Sequence, residues 1–89
     1  MERAVYAETK RHLLVDLRAQ SPTELAGQVV VRTLPLETND GFKFWVGDGS
    51  WLLVRASGTE PLVRVYTEAT SEATREAMLV AGERLVRGS

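Results

Sequence analysis

Cysteine is absent from this sequence. No disulfide can staple the fold, so buried apolar side chains must hold it, and thiol chemistry is excluded. That absence fits a reducing compartment, and a cytoplasmic protein is the expectation. Histidine occurs once, as His12, with no second histidine or cysteine to share a zinc ion. No apolar run approaches the roughly 20 residues that a membrane-spanning helix needs. Nor does Met1 open a charged-then-apolar leader of the secretory type, so no membrane partner is expected. An excess of either charge is missing too. Eleven Lys and Arg against 12 Asp and Glu leave a formal net charge of −1, without the basic bias that gives non-specific affinity for nucleic acid.

What is present is the composition of a globular domain, 44% hydrophobic and 26% charged. Eighty-nine residues make one domain, 1–89, with a modest core. Residues 7–19 carry Lys10, Leu13, Leu14 and Leu17 at helical spacing. Ser21, Pro22 and Glu24 follow in the order N-cap, first position, third position, and Gly27 ends the pattern, so a short helical corner is expected there. From Gln28 the period becomes two. Strands are expected over 29–36, 42–46, 51–56 and 62–67, separated by Asn39-Asp40-Gly41, by Gly47-Asp48-Gly49-Ser50 and by the polar run 57–61. Residues 2–6 add a short first strand. Ser71 caps a closing helix to about Val86, with Ala73, Ala77, Ala81 and Leu85 as its packed stripe, joined by Met78, and Gly88 as its stop. The predicted fold is α+β: an antiparallel sheet of four to five strands with two helices packed on one face.

The chemically informative segment is Arg55-Ala56-Ser57-Gly58-Thr59-Glu60-Pro61. A phosphate dianion needs a fixed positive charge, hydroxyl donors and convergent backbone N–H groups. Arg55 offers a planar fork at the end of a strand. Ser57 and Thr59 supply hydroxyls, Gly58 permits close backbone approach, and Pro61 restrains the loop exit. From the residues alone the alternative is a polar hairpin loop that merely contains an arginine.

The run from Asp48 through Pro61, followed by Arg64, Tyr66 and Glu68, resembles the C-terminal domain signature of the α-D-phosphohexomutases. Ser21-Pro22-Thr23-Glu24-Leu25-Ala26-Gly27 and Asp40-Gly41-Phe42-Lys43 are similar to the bacterial phosphoglucomutase/phosphomannomutase branch, and the resemblance runs from about Lys10 to Val86. It implies a β–α–β(4)–α layer pair shared with the TATA-binding-protein superfold. It also implies a four-domain parent enzyme that interconverts hexose 1-phosphate and hexose 6-phosphate. The catalytic phosphoserine and magnesium would lie in the first two domains and the sugar-reading residues in the third. Carried onto this chain, the phosphate contacts would be Arg55, Ser57, Gly58 and Thr59. Ala56 departs from the proline that many relatives carry there, which loosens the loop without removing a phosphate contact. Neither a serine-histidine-asparagine nucleophile segment nor an aspartate-rich metal loop occurs here. The implied partners are a phosphosugar and the remaining domains of the parent, with no cofactor, no metal and no catalytic residue in this domain and no turnover by it alone.

Other residues are open to two readings. Arg64 shares a strand face with Tyr66 and either buttresses Arg55 and the loop or is a solvated strand residue. Glu60 either orients Arg55 or is solvated. Trp45 and Trp51 read as packing residues, and Asp40 and Asp48 as carboxylates that stabilise their turns without the ligand pattern of a calcium loop. Gly47-Asp48-Gly49-Ser50 lacks the lysine of a nucleotide-binding P-loop. The alternative from another class is a single-stranded nucleic-acid module, with Lys43, Trp45, Arg55, Arg64 and Tyr66 sharing an open sheet face. Near-neutral charge and the lack of an aromatic RNA-binding strand motif argue against it, so no nucleic-acid partner is expected.

Overall fold

The structure is a computed structural model describing residues 2–6, 15–38 and 40–87. Its strands are β1 (Glu2–Tyr6), β2 (Glu24–Leu25), β3 (Gln28–Pro35), β4 (Gly41–Val46), β5 (Trp51–Ala56) and β6 (Leu62–Glu68). The helices are α1 (Leu17–Ala19) and α2 (Glu72–Arg87). The strands form one antiparallel sheet in the order β1-β6-β5-β4-β3-β2. Among the described residues the sheet thus has six strands, where four to five are expected from the sequence.

Period-two alternation decides which side of the sheet is covered. Phe42, Phe44 and Val46 on β4, Leu52, Val54 and Ala56 on β5, and Val63 and Val65 on β6 are all buried in one cluster with Met78, Leu79 and Val86 of α2. Each fully buried Phe, Leu or Val contributes about 1.5–3 kcal/mol relative to exposure. Thr67 also points inward, and its hydroxyl donates to the Trp51 carbonyl at 2.8 Å, so this buried polar group is satisfied. Leu17 and Leu25 join the same cluster. Arg3 clamps β1 to α2 through Glu83 at 2.7 Å and Glu76 at 3.0 Å. The opposite face of the sheet carries Lys43, Trp45, Trp51, Leu53, Arg55, Arg64 and Tyr66.

Three sequence expectations need correction or bounding. The segment 21–27 is not a helical corner: Glu24 and Leu25 pair with Val29 and Gln28 across a two-residue turn. Ala26 and Gly27 sit there at φ 53° and 76°, as the turn matching strand twist requires. Ser21 does not cap forward; its hydroxyl donates back to the Leu17 carbonyl at 3.0 Å. A single helical turn would leave most of its backbone groups unpaired, whereas the hairpin bonds them to β3 and buries Leu25. The packed stripe of α2 is also rotated. Ala73 and Ala77 are exposed, and the buried face is Met78, Leu79, Gly82 and Val86, with Ala81 and Leu85 partly buried against the core. The helix turns Gly82 to the sheet because any Cβ there would lie 2.5 Å from Val65 Cγ1. The closing helix does begin as expected, the Ser71 hydroxyl accepting the Thr74 N–H at 3.1 Å. Most of the expected first helix, residues 7–14, lies outside the described residues, as does Gly88.

Candidate functional site

The site is built where β4, β5 and β6 end together. Gly41, Arg55 and Arg64 are in register across these strands, and the loop 57–61 rises from the same end. A Cβ at Gly41 would lie 1.9 Å from the Val54 carbonyl oxygen and 2.9 Å from Arg55 Cα. Only glycine lets β4 approach β5 this closely, and the Ala56 N–H then donates to the Asp40 carbonyl at 2.8 Å. Two arginines directly opposite one another repel. Each has a carboxylate: Asp40 Oδ2 lies 3.0 Å from Arg55 Nε, and Glu2 Oε2 lies 2.9 Å from Arg64 Nη1.

Asp40 is the main orienting residue that sequence reasoning missed. It reads locally as a turn carboxylate, and it does accept the Thr38 hydroxyl. Its second oxygen, however, takes the Nε edge of Arg55. Desolvation pulls the Asp40 carboxyl up, but the hydrogen bonds from Thr38 and Arg55 outweigh it and hold the group below the ordinary carboxylate range. Asp40 is therefore charged at neutral pH, and it leaves the terminal guanidinium nitrogens of Arg55 directed away from this bond. The ion partner of Arg55 is Asp40 and not Glu60. A signal existed in the Asp40-Gly41 pair at the head of a strand, but only the register reveals that Arg55 faces it.

The loop is a closed turn. The Ser57 N–H donates to the Leu62 carbonyl at 3.1 Å, and the Ser57 hydroxyl oxygen accepts the N–H groups of Glu60 at 3.2 Å and Thr59 at 3.4 Å. Gly58 is not in the left-handed region, and a Cβ built there meets nothing within 4 Å. Asp40, Arg55, Ala56, Ser57, Gly58, Arg64 and Tyr66 line a cleft of about 350 Å³. Of the residues singled out from the sequence, Arg55, Ser57, Gly58 and Arg64 meet in this cleft. Thr59 and Glu60 are exposed on the loop and are not part of its wall. An adjoining hollow of about 500 Å³ is lined by Leu36, Thr38, Trp51, Leu53, Arg55 and Tyr66.

Further along the open face, Lys43 Nζ lies 4.8 Å from the Trp45 ring centre and 4.2 Å from that of Trp51, and the Arg32 guanidinium lies 4.8 Å from Trp45. The indole rings that a stacked base would use are thus faced by cations of the same chain. At the other end of the sheet, Asp48 accepts the Ser50 N–H at 2.8 Å and the Gln28 amide and Thr70 hydroxyl at 3.1 Å each. The bonds from Ser50 above all lower its carboxyl to about 2, and this is turn stabilisation as expected. Among the described residues no group of three His, Cys, Asp or Glu could hold a metal ion, and no helix is long and apolar enough to cross a membrane. His12 lies outside them.

Comparison with known proteins is decisive for the family. Residues 5–84 match the sequence model of the phosphoglucomutase/phosphomannomutase C-terminal domain. The chain belongs to this family. It is 41% identical over 81 residues to a phosphoglucomutase/phosphomannomutase of Thermococcus kodakarensis, covering 89% of this chain and 17% of that protein. It is 49% identical over 41 residues to a phosphopentomutase of the same organism, covering 46% of this chain and 9% of that protein. It is 46% identical over 52 residues to a phosphoglucosamine mutase of Methanococcus aeolicus, covering 58% of this chain and 11% of that protein. The chain thus spans less than a fifth of the length of these mutase relatives.

Proposed function

We propose that this chain is the phosphate clamp of a hexose-phosphate mutase: its β5–β6 loop and the two arginines beside it hold the phosphate group of a phosphosugar. The observation that carries this reading is the cleft in which the Arg55 fork, with its Nε edge fixed by Asp40, meets Ser57, Gly58 and Arg64. A fork anchored along one edge presents its remaining N–H groups at little further entropic cost, which suits bidentate contact with a phosphate. Gly58 presents no side chain to an approaching anion, and the Ser57 hydroxyl stands on the cleft wall. Thr59, at the loop tip, completes the clamp if the turn tightens around the ligand. The chain performs no turnover alone. In the longer protein a catalytic phosphoserine and magnesium, both outside this chain, would carry out the interconversion of hexose 1-phosphate and hexose 6-phosphate in the cytoplasm. We also take the sheet and helices to be the β–α–β(4)–α layer pair of the TATA-binding-protein superfold, extended by the two-residue β2.

The test is a titration of the isotope-labelled chain with inorganic phosphate. Amide resonances of Ser57, Gly58 and Thr59 should move first, with a dissociation constant near millimolar, about −4 kcal/mol. Arg55→Ala should weaken binding by roughly ten- to 150-fold, the equivalent of a charge-assisted hydrogen bond of about 1.5–3 kcal/mol. Arg55→Lys should not restore it, because an ammonium has no fork. Arg32→Ala is the control; it removes a cation facing Trp45 and should leave phosphate affinity unchanged. Largest shifts at Trp45 and Trp51, or full binding by Arg55→Ala, would reject the clamp.

A further inference from the structure

We propose that Glu2 is a counter-ion built into the clamp: it holds Arg64 and must yield it to the incoming phosphate, so the seating of β1 helps to set phosphate affinity. This rests on the phosphate reading above. The two arginines of the cleft are held differently. Asp40 takes the Nε edge of Arg55 and leaves its terminal nitrogens to a ligand. Glu2 takes Arg64 by a terminal nitrogen, Nη1, at 2.9 Å, and that nitrogen is half of the end-on fork that suits a phosphate. Asp40 can therefore stay when phosphate binds to both forks, and Glu2 cannot.

The strand register brings Glu2 to this place. Ala4 stands directly opposite Arg64, and Glu2 opposite Tyr66. The residue facing Arg64 thus has no polar group to offer, and Glu2 reaches the guanidinium from the diagonal position, a step of about 7–8 Å. Both ends of the pair are open to water, 44% exposed at Arg64 and 45% at Glu2, so the pair is weak enough to exchange. β1 does not have to leave the sheet for this. It is fixed from the other face, by Val5 in the core and by Arg3, which reaches Glu83 at 2.7 Å and Glu76 at 3.0 Å. The strand therefore keeps the released carboxylate near Arg64, at the effective concentration of a tethered group. Arg55 and Arg64 are directly opposed on β5 and β6, and a phosphate that displaces Glu2 supplies the negative charge that this pair then lacks.

Inorganic phosphate is the probe, titrated into the 89-residue chain and its charge variants. Glu2→Gln should bind phosphate about two- to fivefold more tightly than the parent, the range of an exposed ion pair. Glu60→Gln removes the same charge from the exposed loop and should change affinity by less than roughly 1.5-fold at 0.1 M salt. In an Arg64→Ala background, Glu2→Gln should have no effect. In the unmodified chain the carbon-13 resonance of the Glu2 carboxyl group should move with phosphate and saturate together with the Ser57 and Gly58 amides. That displacement is the reciprocal of the competition, and reading it requires no variant to fold. The counter-ion role is overturned, with the clamp left standing, by any of three results: Glu2→Gln binding no tighter than the parent or Glu60→Gln, a gain that survives in Arg64→Ala, or a Glu2 carboxyl resonance that ignores bound phosphate. If neither the parent nor Glu2→Gln binds phosphate, the clamp fails and the counter-ion role with it.

Discussion

Replacing Gly41 by alanine adds one methyl group at the point where the fold positions Arg55. That Cβ would lie 1.9 Å from the Val54 carbonyl oxygen and 2.9 Å from both Val54 C and Arg55 Cα, all backbone atoms of the neighbouring strand. No rotamer change relieves a contact with backbone, so β4 must move away from β5 at this end. One hydrogen bond across this gap depends on the present spacing, Ala56 N–H to the Asp40 carbonyl at 2.8 Å. Overpacking costs about 1–3 kcal/mol and each lost hydrogen bond about 0.5–1.5 kcal/mol. Gly41→Ala should therefore destabilise by about 1.5–4.5 kcal/mol. A domain of this size has about 4–13 kcal/mol in total, and its Tm moves by about 4–8 °C per kcal/mol. Thermal and urea denaturation should show a fall of roughly 6–36 °C and a lower urea midpoint. Gly58→Ala is the matched comparison, since its Cβ meets nothing within 4 Å and its φ is not left-handed. It should melt with the unmodified chain while crowding the phosphate cleft and weakening phosphate binding. A Gly41→Ala variant melting within 2–3 °C of the parent, roughly half a kcal/mol, would refute the close-approach reasoning.

Two further predictions concern the far side and the far end of the sheet. Gly82→Ala places a Cβ 2.5 Å from Val65 Cγ1 and 3.2 Å from Leu52 Cδ1, so overpacking of about 1–3 kcal/mol should exceed the roughly 1 kcal/mol gain in helix propensity, and the variant should melt lower despite a better helix former. Asp48 has a folded pKa of about 2 against an ordinary 3.8; a depressed carboxyl stabilises above the unfolded pKa and ceases to do so as pH falls through the folded one. The excess stability of the parent over Asp48→Asn should accordingly be constant above about pH 5 and shrink between pH 4 and 2 in urea titrations, and an excess that grew toward low pH would contradict the assignment.

The strands were legible because their signals are local and agree with the tertiary outcome. Trp51 to Ala56 alternates and is bounded by turn residues, and the sheet buries the face that this alternation marks. Ser71 likewise caps the helix that its sequence position announces. The corner at Ser21 failed because its cap-like pattern is also local, while the competing hairpin draws on the distant backbone of β3. The stripe of α2 failed for a related reason. Alanine spacing identifies a face that can pack closely, but Gly82 packs closer still, and only the opposing Val65 decides between them. At the site, the loop residues lie together in sequence and were readable as a group. Asp40 and Arg55 are fifteen residues apart, and nothing short of the strand register brings them together.

That register also explains why the clamp should grip weakly by itself. Arg55 and Arg64 bring two positive charges to the cleft, and Asp40 and Glu2 bring two negative ones at 3.0 and 2.9 Å. A phosphate approaching this cleft meets an almost balanced set of charges, so little long-range attraction is available, and what remains is screened within about 10 Å at 0.1 M salt. The Asp40 pair is the more constrained of the two, its carboxylate being 27% exposed against 45% for Glu2. Asp40 therefore trades some attraction for orientation of the fork, whereas Glu2 is free to exchange Arg64 with a ligand. Phosphate binding should then draw on Arg55 through geometry and on Arg64 through displacement of Glu2. The second step makes affinity depend on how firmly β1 is held, which Arg3 ties to α2 through Glu76 and Glu83.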